Sequence, residues 1–199
     1  MTDKSARFTP NERLLLVLLG AQGATGKPFE PIRGATWLQK EVFASLRNLA
    51  GEEGVRKLFE PHRMGMYSEE VAHLVAGLVR DGLVICNGDG PIALTEAGKP
   101  LASELLASGK AGVEVIRSVK ELLNGLEYPD LIIYVYSVYP KWDDASEVGH
   151  YMRDAPRRRA LATRLYQAGR ISVERAALVA GEPLEKFMKG VGVGGLSAQ

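Results

Sequence analysis

Seven arginines fall between positions 153 and 175: Arg153, Arg157, Arg158, Arg159, Arg164, Arg170 and Arg175. Only Asp154 and Glu174 oppose them there, so this window carries +5 while the whole 199-residue chain carries +1. The remainder therefore sums to −4, and the basic charge is concentrated. Guanidinium groups recognise phosphate oxygens by paired hydrogen bonds. A cluster of them has the chemistry of a nucleic-acid backbone contact, salt-dependent and blind to base sequence. A helix-turn-helix spacing overlaps the cluster: Ala177, Gly181, Leu184, Phe187. Ala177 is small where a second helix would cross, and Gly181 suits a turn that needs positive φ. Leu184 and Phe187 are expected to point from the second helix into a small core, with Ala176 and Ala180 inward on the first. Ser172 is a cap for the first helix, and Pro183 suits the start of the second. In this reading Arg157, Arg158, Arg159, Arg164 and Arg170 contact phosphates of double-stranded DNA, and Ser172 and Arg175 sit over the backbone. Lys186 and Lys189, at i and i+3, enter the major groove.

Other chemistry finds little support. His62, His73 and His150 are scattered without metal-ligand spacing, and no nucleophile signature accompanies them. No catalytic residue, metal or cofactor is expected, and the protein reads as a non-enzyme. The single cysteine, Cys86, excludes an internal disulfide and a Cys-rich zinc site; it reads as a small core residue. Ala21 to Lys27 has the outline of a phosphate-binding loop. Pro28 stands where magnesium binding needs Ser or Thr, so a solvated loop is the better reading. Asp143, Asp144 and Glu147 read as a solvated connector, and Tyr128, Tyr134, Tyr136 and Tyr139 as core or subunit-interface residues.

These groups must be held by a mainly helical chain. Hydrophobic residues are 46% and charged residues 25%, enough for a packed core. The longest apolar run near the N-terminus, Leu14 to Leu19, is far short of the ~18 residues a membrane span needs, and no signal-peptide cleavage pattern follows it. No membrane association and a cytoplasmic location are expected. Residues 1–10 read as a flexible tail, with Asn11 capping the first helix. A second helix is expected over about Gly34 to Ala50, with Leu38, Val42, Leu46 and Leu49 on one face. Ser68 caps a third that begins with Glu69 and Glu70 and ends before Gly82. Leu83–Cys86 and Pro91–Leu94 flank Asn87-Gly88-Asp89-Gly90, a β-hairpin signal. Thr95 caps a fourth helix. Val113–Asn124 reads as amphipathic helix; Tyr128–Tyr139 has the β-branched and aromatic residues of a strand, but Pro129 at an N1 position and Pro140 as a stop favour a helix of about three turns.

The order of three helices, a hairpin and a helix is that of a winged helix-turn-helix over residues 11–109. A helical connector or dimerisation segment follows over 110–142, then a C-terminal helix-turn-helix over 143–191 and a flexible tail over 192–199. Leu83-Val-Ile-Cys86 and Ile92-Ala-Leu-Thr-Glu-Ala-Gly98 resemble the wing and exit helix of winged-helix domains. Trp37-Leu-Gln-Lys40, Phe59-Glu-Pro61 and Gly65-Met-Tyr-Ser68 resemble the Panacea type of prokaryotic domain over about Asn11 to Pro140, with Met66 in place of that family's proline. The stretch from Arg159 to Phe187 resembles a family of small archaeal and bacterial helix-turn-helix antitoxin-like regulators. Leu165-Tyr166, Gly169-Arg-Ile-Ser172, Ala176-Ala177, Ala180-Gly181 and Phe187 carry that resemblance. It implies DNA binding and pairing with a partner protein of toxin type. The expectation is a transcriptional-regulator-like or antitoxin-like homodimer. The alternative is an interaction module, antitoxin or scaffold, that touches no DNA. The arginines discriminate: packed against acidic residues such as Asp143, Asp144 and Glu147 they are neutralised, whereas lining one open face with Arg164 and Arg175 they bind phosphate.

Overall fold

The structure, a computed structural model, describes residues 7–62, 65–108, 112–140 and 149–192. It is mainly helical, with short antiparallel hairpin strands. The chain forms two compact units, one running to Leu126 and the other from Glu127, with residues 61–65 grouped with the second. The segment 110–142, read from sequence as a separate connector, is therefore divided. Its first helix packs into the first unit and its second belongs to the other.

In the first unit, α1 (Pro10–Gly20) is buried from Leu14 to Gly20 and forms the centre. Its cap is Thr9 and not Asn11. The Thr9 amide donates to Glu12 Oε2 at 2.7 Å and the Glu12 amide to Thr9 Oγ1 at 3.3 Å, a reciprocal capping box. Phe8 is buried, so the expected tail over 1–10 is part of the fold from Phe8 onward; residues 1–6 lie outside the described residues. Helix α2 (Ala35–Arg56) runs past Ala50 by kinking at Gly51, whose φ of 68° breaks the helical path. Two short strands that the sequence reading lacked, β1 (Glu60–His62) and β2 (Gly65–Tyr67), follow it.

Helix α3 (Glu69–Arg80) is capped by Ser68, whose Oγ accepts the Val71 amide at 3.1 Å, and stops at Gly82 with φ 70°. Strands β3 (Val84–Cys86) and β4 (Ile92–Leu94) pair antiparallel with Cys86 opposite Ile92. Ile32 adds a bridge to Ile92 on the other edge. Thr95 sits before α4 (Gly98–Ala107) and accepts the Gly98 amide at 3.1 Å. A Cβ at Gly98 would lie 2.2 Å from the Leu83 carbonyl, so this hairpin and α4 meet only because that side chain is absent.

Helix α5 (Val113–Leu123) closes this unit with polar groups in an apolar setting. The Lys120 ammonium is buried and donates to the Leu19 and Ala21 carbonyls at 3.0 and 2.9 Å, a cation on the negative end of α1. Burial pulls Lys120 down to about 8, against the opposing charges of Glu41 and Glu30. Asn124 donates to Glu30 and to the Pro31 carbonyl and accepts the Arg33 amide, fixing the loop before α2. Glu41 is fully buried, and neither of its oxygens has a hydrogen-bond partner. Burial holds its carboxyl well above the usual range, with Lys120 opposing and Glu30 reinforcing.

A folded state that keeps the Glu41 proton while the unfolded chain releases it loses stability as pH rises above the ordinary Glu value. Glu41→Gln removes that dependence. Its unfolding free energy relative to wild type is expected to grow by up to about 1.4 kcal/mol per pH unit between about pH 5 and 7. Urea titration followed by Trp37 fluorescence in a Trp142→Phe background measures this; parallel curves for the two proteins would contradict it.

Candidate interaction site of the C-terminal unit

The second unit is built on α6 (Tyr128–Val138), buried from Asp130 to Ser137. Around it lie α7 (Gly149–Met152), α8 (Ala155–Gln167), α9 (Val173–Ala180) and α10 (Leu184–Gly190). Asp154 caps α8 through the Arg157 amide, and Ser172 caps α9 through the Arg175 amide. Gly181 ends α9 in the left-handed region, φ 70° and ψ 32°, and the Glu182 amide reaches back to the Ala177 carbonyl at 3.1 Å. Ala176, Ala177, Val179, Ala180 and Phe187 are buried, with the Phe187 ring edge-on to Tyr166 at 6.3 Å.

Leu184 departs from the expected core role: it is 39% exposed. Positions 184 and 187 do not coincide on a 3.6-residue helix. In the seven-residue α10 it is Phe187 that fills the inward direction. Leu178, on the last turn of α9, is 56% exposed, so two leucines flank the turn on the outside.

The arginine cluster is held largely by its own unit. Arg157 Nε and Arg164 Nη2 each donate to the carboxylate of Asp130, at 2.7 Å to Oδ1 and 2.7 Å to Oδ2. These arginines are seven residues apart on α8, two turns, and so share a face. Asp130 is buried at the start of α6. Arg158 donates to the Val179, Leu178 and Met152 carbonyls at 2.9, 3.1 and 3.2 Å, and to Ser137 Oγ at 3.4 Å. It thereby satisfies the carbonyls at the end of α9, where a cation is favoured. A Cβ on Gly181 would lie 2.7 Å from that guanidinium. Arg159 donates to both Glu182 oxygens, at 2.7 and 2.8 Å, and Lys186 lies 3.7 Å from the same carboxylate. Arg175 reaches Tyr134 Oη at 3.5 Å. Burial pushes the Tyr134 phenol up to about 12, against the neighbouring Arg175 charge.

Of the residues expected to touch DNA, Arg157, Arg158, Arg159, Arg164 and Arg175 thus hold α8 and α9 to α6 and to the turn. Ser172 Oγ faces its own helix. Arg157, Arg164, Arg170, Arg175, Lys186 and Lys189 are exposed even so, and Arg158 and Arg159 are half-buried. The partners Asp130, Glu182 and Tyr134 were not read as site residues. Asp130 had a legible signal, a lone carboxylate before the apolar run Leu131 to Val135. Asp143, Asp144 and Glu147, the partners expected from sequence, lie outside the described residues. From Glu127 to Gln199 the sequence holds ten basic and nine acidic residues, a balance of +1.

In the first unit, the loop with a phosphate-site outline is closed by its own carboxylate. Glu30 accepts from the Thr25 amide at 2.9 Å and from the Thr25 hydroxyl. Burial alone would raise Glu30; these bonds, the bond from Asn124 and the nearby charge of Lys120 bring it below its ordinary value, so negative charge already occupies the loop. Cys86, expected in the core, is half-buried, with Sγ 3.6 Å from the Gly88 carbonyl. Among the described residues, no group of three or more His, Cys, Asp or Glu could hold a metal, and no helix is long and apolar enough to cross a membrane. No family model matches the chain, and no curated protein matches it.

Removing the shared carboxylate leaves two arginines facing each other. Asp130→Ala is expected to cost the C-terminal unit about 1–3 kcal/mol, discounted for the partial exposure of both arginines. Lys189→Gln, on the exposed side of α10, should stay within about 0.5 kcal/mol. Hydrogen exchange of the α8 and α9 amides separates the two effects; equal protection in both variants would show that the bridge contributes nothing.

Proposed function

We propose that this protein is a non-catalytic, cytoplasmic interaction protein of antitoxin or scaffold type. A winged helix-turn-helix forms its N-terminal unit, and the helix-turn-helix of its C-terminal unit docks protein rather than DNA. The observation that carries this reading is the internal pairing of the arginines on Asp130, Glu182 and the end of α9. Drawing them onto phosphates would break contacts that hold the unit together. The exposed leucines beside the turn, Leu178 and Leu184, support protein docking, since large apolar side chains left in water are favoured at interfaces. Glu185, in the first turn of α10, would also meet an approaching phosphate with like charge. The N-terminal unit repeats the pattern: α3 begins with Glu69 and Glu70 and exposes alanines along its length. The first partner on this reading is a second copy of the chain, and a toxin-like protein is the second.

Duplex DNA remains the second reading, favoured by the 61% and 67% side-chain exposure of Arg164 and Lys186 despite their carboxylate partners. The two readings separate in solution. Light scattering is expected to find a dimer that shifts toward monomer in Leu178→Glu/Leu184→Glu, with helicity intact. A mobility-shift titration at low salt is expected to show no duplex binding. Binding with a log–log salt slope near −4 to −5, weakened by charge removal at Arg157, Arg158 and Arg159, would replace docking by phosphate recognition.

A further inference from the structure

The first unit contains a concavity of about 400 Å³ on the side of α3 that faces α2 and the wing. Ala72, Ala76 and Val79 of α3 line one wall, Leu38 and Gln39 of α2 another, and Cys86 of the wing a third. The space exists because positions 72 and 76, one turn apart on the same face, are alanines; larger residues there would fill it. Every lining residue is apolar or uncharged. Gln39 contributes a wall but no free amide: its Nε2 donates to the Ser68 carbonyl and its Oε1 accepts the Ser68 amide, both at 3.0 Å. A charged ligand would lose its hydration here without an ionic partner.

We propose that this concavity binds one molecule of an uncharged, mostly apolar small ligand, of one- to three-ring aromatic size. Its volume lies in the range of about 300–1,000 Å³ typical of small-molecule sites. A protein partner fits it poorly. Of the large apolar residues exposed in this unit, Leu49, Val79 and Ile85, only Val79 lines the space. Ile85 is adjacent to Cys86 in β3 and so turns to the opposite face of the hairpin. A stable protein interface would need about 800 Å² per partner, which one valine in a recess does not supply. The inference stands apart from the reading of the C-terminal unit, since every wall belongs to the first unit.

The test uses the full chain and N-phenyl-1-naphthylamine, an uncharged dye that brightens in apolar surroundings. Saturable binding of one dye per chain is expected, displaced by naphthalene and not by naphthalene-2-sulfonate. Ala76→Trp, at an exposed helix position, fills the space and should weaken dye binding at least about tenfold. Cys86, the single cysteine, reports independently in the wild-type protein. Saturating naphthalene should slow its alkylation by N-ethylmaleimide at least about fivefold, because the thiol loses access. Unchanged Cys86 alkylation under saturating naphthalene, or wild-type dye affinity in folded Ala76→Trp, would overturn the proposal. So would a dimer that Ala76→Trp dissociates while wild type binds no dye; the occupant would then be a second copy. If Ala76→Trp fails to fold, the Cys86 rates in wild type decide alone.

Discussion

A carboxylate inside an apolar helix must find positive charge or lose its own, and at Asp130 this requirement organises the C-terminal unit. Helix α6 is otherwise a run of aliphatic and aromatic side chains. Its one buried acid accepts from Arg157 and Arg164 of α8, whose side chains stay 41% and 61% exposed, and so ties that face of α8 to α6. Once α8 is so placed, Arg158 reaches the end of α9 and Arg159 reaches Glu182 in the turn. The α9–α10 pair is thus clamped by the residues that give it a basic appearance. With the carboxylate buried and both arginines partly exposed, such pairs add little net stability, but leaving the buried Asp130 without them is costly. Their effect is to select one arrangement of α6, α8 and α9.

The N-terminal unit solves a related problem with fewer charges. Lys120 carries its ammonium into the core and satisfies the end of α1. Lys40 does the same for the Met66 carbonyl at 2.9 Å, and burial pulls it to about 8. In each case a long side chain fills apolar space while its tip closes backbone carbonyls that would otherwise be buried without partners. Glu41 is the exception, a buried carboxyl whose hydrogen-bonding capacity goes unused and which burial holds well above the usual range.

The two units share a feature that bears on function. Each unit exposes apolar side chains on a helix surface. On α3 these are small apolar residues around a recess; on α9 and α10 they are exposed leucines beside neutralised arginine. A net charge alone would not reveal this, because phosphate binding depends on which cations remain available.

Much of the local structure was legible in the residues. Ser68, Ser172 and Gly181 act at the helix ends where their types placed them, the Asn87–Gly90 turn joins two paired strands, and Pro129 and Pro140 bracket α6. Ala177 and Phe187 are inward. Thr9 in place of Asn11 was within reach, since Thr-Pro-Asn-Glu is a capping-box spacing. All of these depend on groups within about four positions, and the backbone dihedrals they favour are intrinsic to the residue types. The fate of the arginines was not legible. Asp130 is 27 and 34 residues from the arginines it binds, and Arg159 is 23 from Glu182. Nor was the outward turn of Leu184 or the recess against α3, which exists only where α2, α3 and the β3–β4 hairpin converge. Periodicity says which side chains share a face and charge says what they could bind. Only the packing of one helix on another decides whether a cation faces solvent or a buried acid, because that choice is made by distances across the fold.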